Sequence, residues 1–375
     1  MEKINMANEK VFTVDKNLCI ETSIKKQDIS FFDVREAPFE VYGLYDYKNE
    51  PEFKRMPDEI GMNVSRGVAA LYKNTAGGRV RFCTDSPYVA IKAVWDGSVE
   101  GQEEYLKMPH TCGCGFDMYI DCEDHPTSKF YKNFSPPYHC RYGYESVIDL
   151  PDSKKRYITI NFPTYHNVQK LYIGLAEGSM LGEGKRYRIE KPVVFYGSSI
   201  TQGGCASRPG NAYQAILSRR LDMNYINLGF SGNGKGEDLI VEYMAGLDMS
   251  AFVSDYEHNA PSAEHLEQTH LKMYKKIREK NPDIPYVIVS RADVDSGSGY
   301  DRATLRRKII LDTYNYARAN GDNNVYFIDG ESIYGRGNFR ECYTVDCIHP
   351  TDSGFVKMAE AFEATFVHIM NDGRM

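Results

Sequence analysis

Residues 193–212 read Val193-Val194-Phe195-Tyr196-Gly197-Ser198-Ser199-Ile200-Thr201-Gln202-Gly203-Gly204-Cys205-Ala206-Ser207-Arg208-Pro209-Gly210-Asn211-Ala212, an apolar run that passes into a glycine-rich turn carrying hydroxyls. The run 193–196 predicts a buried parallel strand, Gly197 allows a sharp turn, and Asn211 is placed to cap a helix over 212–221. Ser198, Ser199 and Thr201 then stand at the carboxyl end of a strand, the edge at which open α/β sheets bind ligands. A Ser/Gly-rich connection without chemistry would read the same way locally. The far end of the chain adds weight to the chemical reading. Asp346-Cys347-Ile348-His349-Pro350 precedes a predicted helix over 353–370, so an acid and a histidine three positions apart can face one cleft. A carboxylate can fix an imidazole tautomer while the other ring nitrogen takes a serine proton, in whatever chain order the three residues occur. The plainer alternative is that Asp346 and His349 cap the last helix.

Outward from this stretch, strands predicted at 193–197, 225–230, 251–256, 285–290 and 325–329 alternate with helices at 212–221, 237–247, 263–280, 302–319 and 354–370. That alternation implies a flavodoxin-like, three-layer α/β domain with a parallel sheet. The candidate residues follow its first three strands and precede its last helix. The earlier half reads differently. Segments 79–84, 88–95, 116–121, 157–162 and 171–175 are short, β-branched or aromatic, and separated by Gly, Pro and Asp, which implies an antiparallel β-sandwich of jelly-roll-like type. The residues to about Val41 contain a few strand-like pieces and turn residues without assignable bounds. A glycine-rich, charged stretch over 177–191 marks a crossing between two domains, 1–184 and 185–375.

Four blocks, Gly197-Ser198-Ser199-Ile200-Thr201, Gly229-Phe230-Ser231-Gly232-Asn233, Asn259 and Asp346-Cys347-Ile348-His349, resemble those of the SGNH (GDSL-type) hydrolases. Gly115-Phe116-Asp117-Met118-Tyr119 resembles the motif of the GxDLY domain that precedes one subgroup of them, with Met118 for its leucine. The resemblance implies a serine esterase in which Ser199 is the nucleophile, His349 and Asp346 complete the triad, and Ser199, Gly232 and Asn259 supply the oxyanion hole. Two departures stand out. Ser198 replaces the Asp of Gly-Asp-Ser, which leaves Ser198 and Ser199 both to be considered, with the spacing to Ile200-Thr201 favouring Ser199. The third block reads Asp255-Tyr256-Glu257-His258-Asn259-Ala260 instead of Gly-x-Asn-Asp.

Composition bounds the function. The chain has 375 residues, 42% hydrophobic and 26% charged, with a net charge of −7, room for two cores and no basic stripe for nucleic acid. No apolar run is long enough to span a membrane and the first residues carry no secretory pattern, so a cytoplasmic address without membrane association is expected. Nine irregularly spaced cysteines suit free thiols. His110, Cys112, Cys114, Cys122 and His125 form the densest run of soft ligands, yet a strand between Cys114 and Cys122 works against convergence, so neither metal nor cofactor is expected. Cys205 and Cys347 read as packing residues, and Trp95 as core. Arg208 and Asn211 either contact substrate or pin their loop, and His258 is a further candidate for the substrate pocket. The expected substrate is a small-molecule or oligosaccharide ester, most simply an O-acetylated carbohydrate. A binding protein without activity and a general esterase or lysophospholipase are the rivals, and the oligomeric state, a homo-oligomer included, is left open.

Overall fold

The computed structural model describes residues 23–95, 97, 108–121, 128–292, 300–335 and 340–375. Cys122, His125 and the extreme N-terminus lie outside them. In the first half the elements run β1 (Ile29–Asp33), β2 (Glu40–Tyr42), α1 (Asp58–Val64), α2 (Arg66–Leu71), β3 (Arg79–Thr84), β4 (Tyr88–Val94), α3 (His110–Gly113), β5 (Phe116–Asp121), β6 (Ser128–Phe134), β7 (Gly143–Asp149), β8 (Arg156–Asn161), β9 (Lys170–Ala176) and β10 (Leu181–Glu183). They form two antiparallel sheets, ordered β1-β9-β4-β7 and β10-β3-β8-β5-β6, with β2 added beside β3. Between the sheets lies a core of Val80, Phe82, Ile91, Phe116, Met118, Ile158, Ile160 and Ile173, as the alternation of inward residues requires.

The second half runs β11 (Ile189–Gly197), α4 (Ser199–Gln202), α5 (Tyr213–Leu221), β12 (Met223–Gly229), α6 (Asp238–Ala245), β13 (Ala251–Asp255), α7 (Ala263–Lys280), β14 (Tyr286–Val289), α8 (Tyr300–Ala319), β15 (Val325–Ile328), α9 (Gly330–Ile333) and α10 (Asp352–Asn371). Its sheet is parallel, in the order β12-β11-β13-β14-β15, the doubly wound 2-1-3-4-5 arrangement. Side chains of β11 alternate between its two faces. Val193 and Phe195 pack with Tyr213 of α5 and Phe355, Phe362 and Phe366 of α10. Val194 and Tyr196 pack on the opposite face with Ile240, Met244, Leu266 and Met273.

Sequence position does not divide the two cores cleanly. Met56, Val68, Leu71 and Tyr72, from the α1–α2 region, belong to the same buried cluster as Val194, Tyr196, Leu228 and Phe230. Arg55 is wholly buried there, with Nη1 donating to the Gly229 carbonyl at 2.5 Å and Nη2 to the Leu71 carbonyl at 2.7 Å. Strand β3 is buried on both faces. Val80 and Phe82 face the sandwich core, while Arg79 turns to the second half and donates to the Tyr225 carbonyl at 3.1 Å and to Tyr187 Oη at 2.8 Å.

Candidate active site

The turn that carries Ser198 and Ser199 follows from capping. Ser198 is fully buried, and its Oγ accepts from Ile200 N at 3.1 Å while its own N–H donates to Thr201 Oγ1 at 3.2 Å, so it closes a capping box at the start of α4. Ser199 is the first helical residue, 8% exposed, and its Oγ is directed at His349. The two adjacent hydroxyls thus have different environments. Thr201 Oγ1 donates to Asp255 Oδ2 at 3.0 Å and Tyr213 Oη to the same oxygen at 2.9 Å, which ties the turn to the end of β13. Gly197 is obligatory, because a Cβ there would collide with Thr201 Oγ1 and the Asp255 carbonyl.

Ser199 Oγ lies 2.9 Å from His349 Nε2, and His349 Nδ1 lies 2.9 Å from Asp346 Oδ2. Asp346 Oδ1 also accepts from His349 N at 2.8 Å and Ile348 N at 3.2 Å, a side-chain turn that fixes both partners of the pair. Thr351, not Asp346 or His349, caps α10 through the Gly354 N–H. Cys347 sits in this turn with φ +67 and is exposed, contrary to its reading as a packing residue, whereas Cys205 is buried.

Among the donors, the Ser199 N–H has no partner within its helix, and Gly232, at φ +68, has no acceptor for its N–H among the described residues. Asn259 Nδ2 donates to the Phe230 carbonyl at 2.7 Å, which anchors the amide to the β12 turn and leaves its second N–H available. Buried Arg306 supports that segment by donating to the carbonyls of Glu257 at 2.8 Å and Ala260 at 2.9 Å.

The remaining candidates have other partners. Arg208 stacks on Phe130 at 3.8 Å and lies 3.5 Å from Asp117 of the sandwich, so it pins the loop between the domains. Asn211 is not the helix cap, because the chain first makes a 3-10 turn and Ala212 takes the cap position of α5. Its Nδ2 donates instead to Ser207 Oγ at 3.1 Å, and Ser207 N donates to Asp352 at the start of α10 at 2.8 Å. His258 lies half-buried in the turn that carries Asn259.

Several neighbours of the Ser199 turn come from the first half and escaped the sequence reading. Tyr165 Oη donates to the Ser199 carbonyl at 3.3 Å. Gln202 donates to Asn74 Oδ1 at 2.9 Å and to the Thr164 carbonyl at 3.1 Å, and accepts from Ser231 N at 2.9 Å. The motif Gly115-Phe116-Asp117-Met118-Tyr119 acquires a physical role in this junction. Asp117 is fully buried, accepts from Gly210 N at 2.8 Å and from Asn161 Nδ2 at 2.8 Å, and thereby fastens the loop after the Ser199 turn to the sandwich. Tyr119 packs under the guanidinium of Arg219 at 4.1 Å.

The soft-ligand run divides in a way its spacing did not reveal. Cys112 is buried against Thr164 Oγ1 at 3.1 Å, and burial pushes its thiol pKa up. His110 and Cys114 gather instead with Cys140, their ligand atoms within 4.8 Å of one another. Cys140, distant in sequence, was not part of the run read from the sequence. Trp95 is core, stacked on His166 at 4.1 Å.

The profile of the GDSL-like Lipase/Acylhydrolase family matches residues 190–367, and that of the GxDLY N-terminus of SGNH-hydrolase-type esterases matches residues 29–181. Residues 190–367 thus belong to the GDSL-like lipase/acylhydrolase family, preceded by a GxDLY domain. No curated protein matches this acylhydrolase. Among solved structures, a GDSL-like lipase described from Bacteroides ovatus is 26% identical, covering 92% of this chain and 98% of that one with a TM-score of 0.81. A salicylyl-acyltransferase from a tetracycline biosynthetic pathway is 19% identical over 92% of this chain and 98% of its own, at TM-score 0.71. A family two carbohydrate esterase from Clostridium thermocellum, in complex with cellohexaose, is 14% identical over 90% of this chain and 100% of its own, at TM-score 0.58. The last two share the fold. The family match supports an ester hydrolase, and no described helix is long and apolar enough to cross a membrane.

Proposed function

We propose that this acylhydrolase is a serine esterase that removes small acyl groups, most simply acetyl, from carbohydrate esters. The observation that carries the reading is the line from Ser199 Oγ through His349 to Asp346, with both contacts at 2.9 Å. Ser199 attacks the acyl carbon, His349 Nε2 takes its proton and returns it to the leaving alcohol, and Asp346 holds the ring and stabilises the imidazolium. The developing oxyanion is received by the N–H groups of Ser199 and Gly232 and the amide of Asn259, and water then completes the cycle. Ser198 in the place of Asp leaves this machinery intact, since its hydroxyl serves the cap. That weighs against an inactive binding protein. Carbohydrate as the substrate rests on the fold shared with family two carbohydrate esterases and on the sandwich residues that wall the nucleophile.

The test is a rate comparison on the purified full chain. Acetate release from acetylated oligosaccharides should exceed hydrolysis of long-chain acyl esters, and Ser199→Ala should lower it by at least about 10³-fold. A preference for long chains would overturn the carbohydrate claim, and full activity in Ser199→Ala would overturn the mechanism.

A further inference from the structure

Apart from the triad, the sandwich brings together a second group of chemically capable side chains. His110 opens α3 and Cys114 closes it, with Cys114 N donating to the His110 carbonyl at 3.0 Å. Four residues apart on one helical turn, the imidazole and thiol share a face. Cys140 arrives from the loop before β7, its carbonyl held by Trp95 Nε1 at 2.5 Å and by Gly143 N at 3.0 Å. We propose that His110, Cys114 and Cys140 form a zinc site that braces the sandwich wall of the cleft.

Geometry supports it first. The three ligand atoms lie within 4.8 Å of one another, and His110 Nε2 is 3.8 Å from Cys140 Sγ. Tetrahedral zinc with ordinary bond lengths separates a sulfur from a nitrogen by roughly 3.6 Å and two sulfurs by roughly 3.8 Å, so little movement is required. Ligand chemistry supports it next. Two thiolates and an imidazole form a soft set suited to zinc, with water in the fourth position. Both thiols are buried while His110 lies at the surface, which gives the ion a way in. His110 Nε2 also lies 3.0 Å from the Pro137 carbonyl, and the proton held there is exchanged for metal on binding.

The consequence for the cleft follows from what α3 carries. Thr111 Oγ1 donates to the Ser207 carbonyl in the loop after the nucleophile. The Cys112 carbonyl accepts from Thr164 N at 3.1 Å, next to Tyr165, whose hydroxyl bonds to the Ser199 carbonyl. Zinc would thus tie the loop bearing Cys140 to the segment that positions the nucleophile turn, a bracing role without a part in the chemistry.

The full chain, grown with added zinc and purified without chelator, should hold stoichiometric zinc by elemental analysis. After exchange it should bind cobalt with the absorption of cobalt–thiolate bonds, a readout that needs no variant. Cys114→Ser and Cys140→Ser should lose the metal, while Cys112→Ala should retain it, because that thiol faces Thr164. Zinc-free protein with no cobalt–thiolate absorption would overturn the proposal. So would a Cys114–Cys140 disulfide found by peptide mapping, or stoichiometric zinc retained in a folded Cys140→Ser variant.

Discussion

Ser198 and Ser199 are chemically identical neighbours in different environments, and substitution should separate them. Ser198→Ala removes the cap of α4 and should lower stability by about 0.5–2 kcal/mol while leaving ester turnover within about tenfold. Ser199→Ala should leave the unfolding midpoint nearly unchanged and remove turnover. Thermal unfolding and hydrolysis of a small acetyl ester, measured on both variants, check the assignment. Asp117 supplies the second test at this scale. Burial, outweighing its hydrogen bonds from Asn161 and Gly210, raises its carboxyl pKa, so folding favours the neutral form. Its contribution is full below the unfolded value of about 3.9 and is lost as pH rises through the folded value, so mild acid should not loosen this junction. Asp117→Ala should destabilise by about 1–3 kcal/mol for each polar group it strands, whereas Asp117→Asn keeps an acceptor for Gly210 N and should lose less by denaturant titration. The triad residues were legible in the sequence through their blocks. Which of the two serines meets His349 was not, because it depends on which hydroxyl the turn buries.

At the scale of elements, periodicity located the parallel sheet and its long helices closely. The helix expected over 263–280 is α7, Ala263–Lys280, with Ser262 as its cap. Weaker signals were missed. Strand β6 lies at a sheet edge with mostly exposed side chains, so it carries no apolar alternation. Strand β7 does alternate, with Tyr144, Ser146 and Ile148 inward, but a serine in the middle position masks the pattern. Helix α3 is a single turn, below the length at which periodicity can be read. Inside α7, His270 is wholly buried, bonds to Thr313 on α8 at 2.8 Å, and has its pKa lowered by burial to about 3. A depressed value means that folding favours the neutral ring, so its contribution is complete above the unfolded value of about 6.5 and is lost as pH falls toward the folded value. Between pH 6 and pH 4 the chain should lose up to about 1.4 kcal/mol per pH unit from this residue. His270→Asn should show a shallower pH dependence of unfolding over that interval, and an unchanged slope would remove His270 as its source.

At the scale of the whole molecule, the two halves share buried surface. If residues 185–375 are expressed alone, the face bearing Val194, Tyr196, Leu228 and Phe230 loses Met56, Val68, Leu71 and Tyr72, and the Gly229 carbonyl loses Arg55. That fragment should be insoluble or bind a hydrophobic dye, and a cooperative, soluble fragment with activity would refute the coupling. The sequence by itself determined the fold class of each half and the residue types of the candidate site. Hydrophobic period and block spacing are local properties that a linear chain states directly. Tertiary structure alone decided that a tyrosine, a glutamine's partners and a buried aspartate from the sandwich would surround the Ser199 turn, and that Cys140 would meet His110 and Cys114. Those pairings join residues up to 128 positions apart, as between Asn74 and Gln202, and depend on how one core is laid against another, which no local pattern encodes.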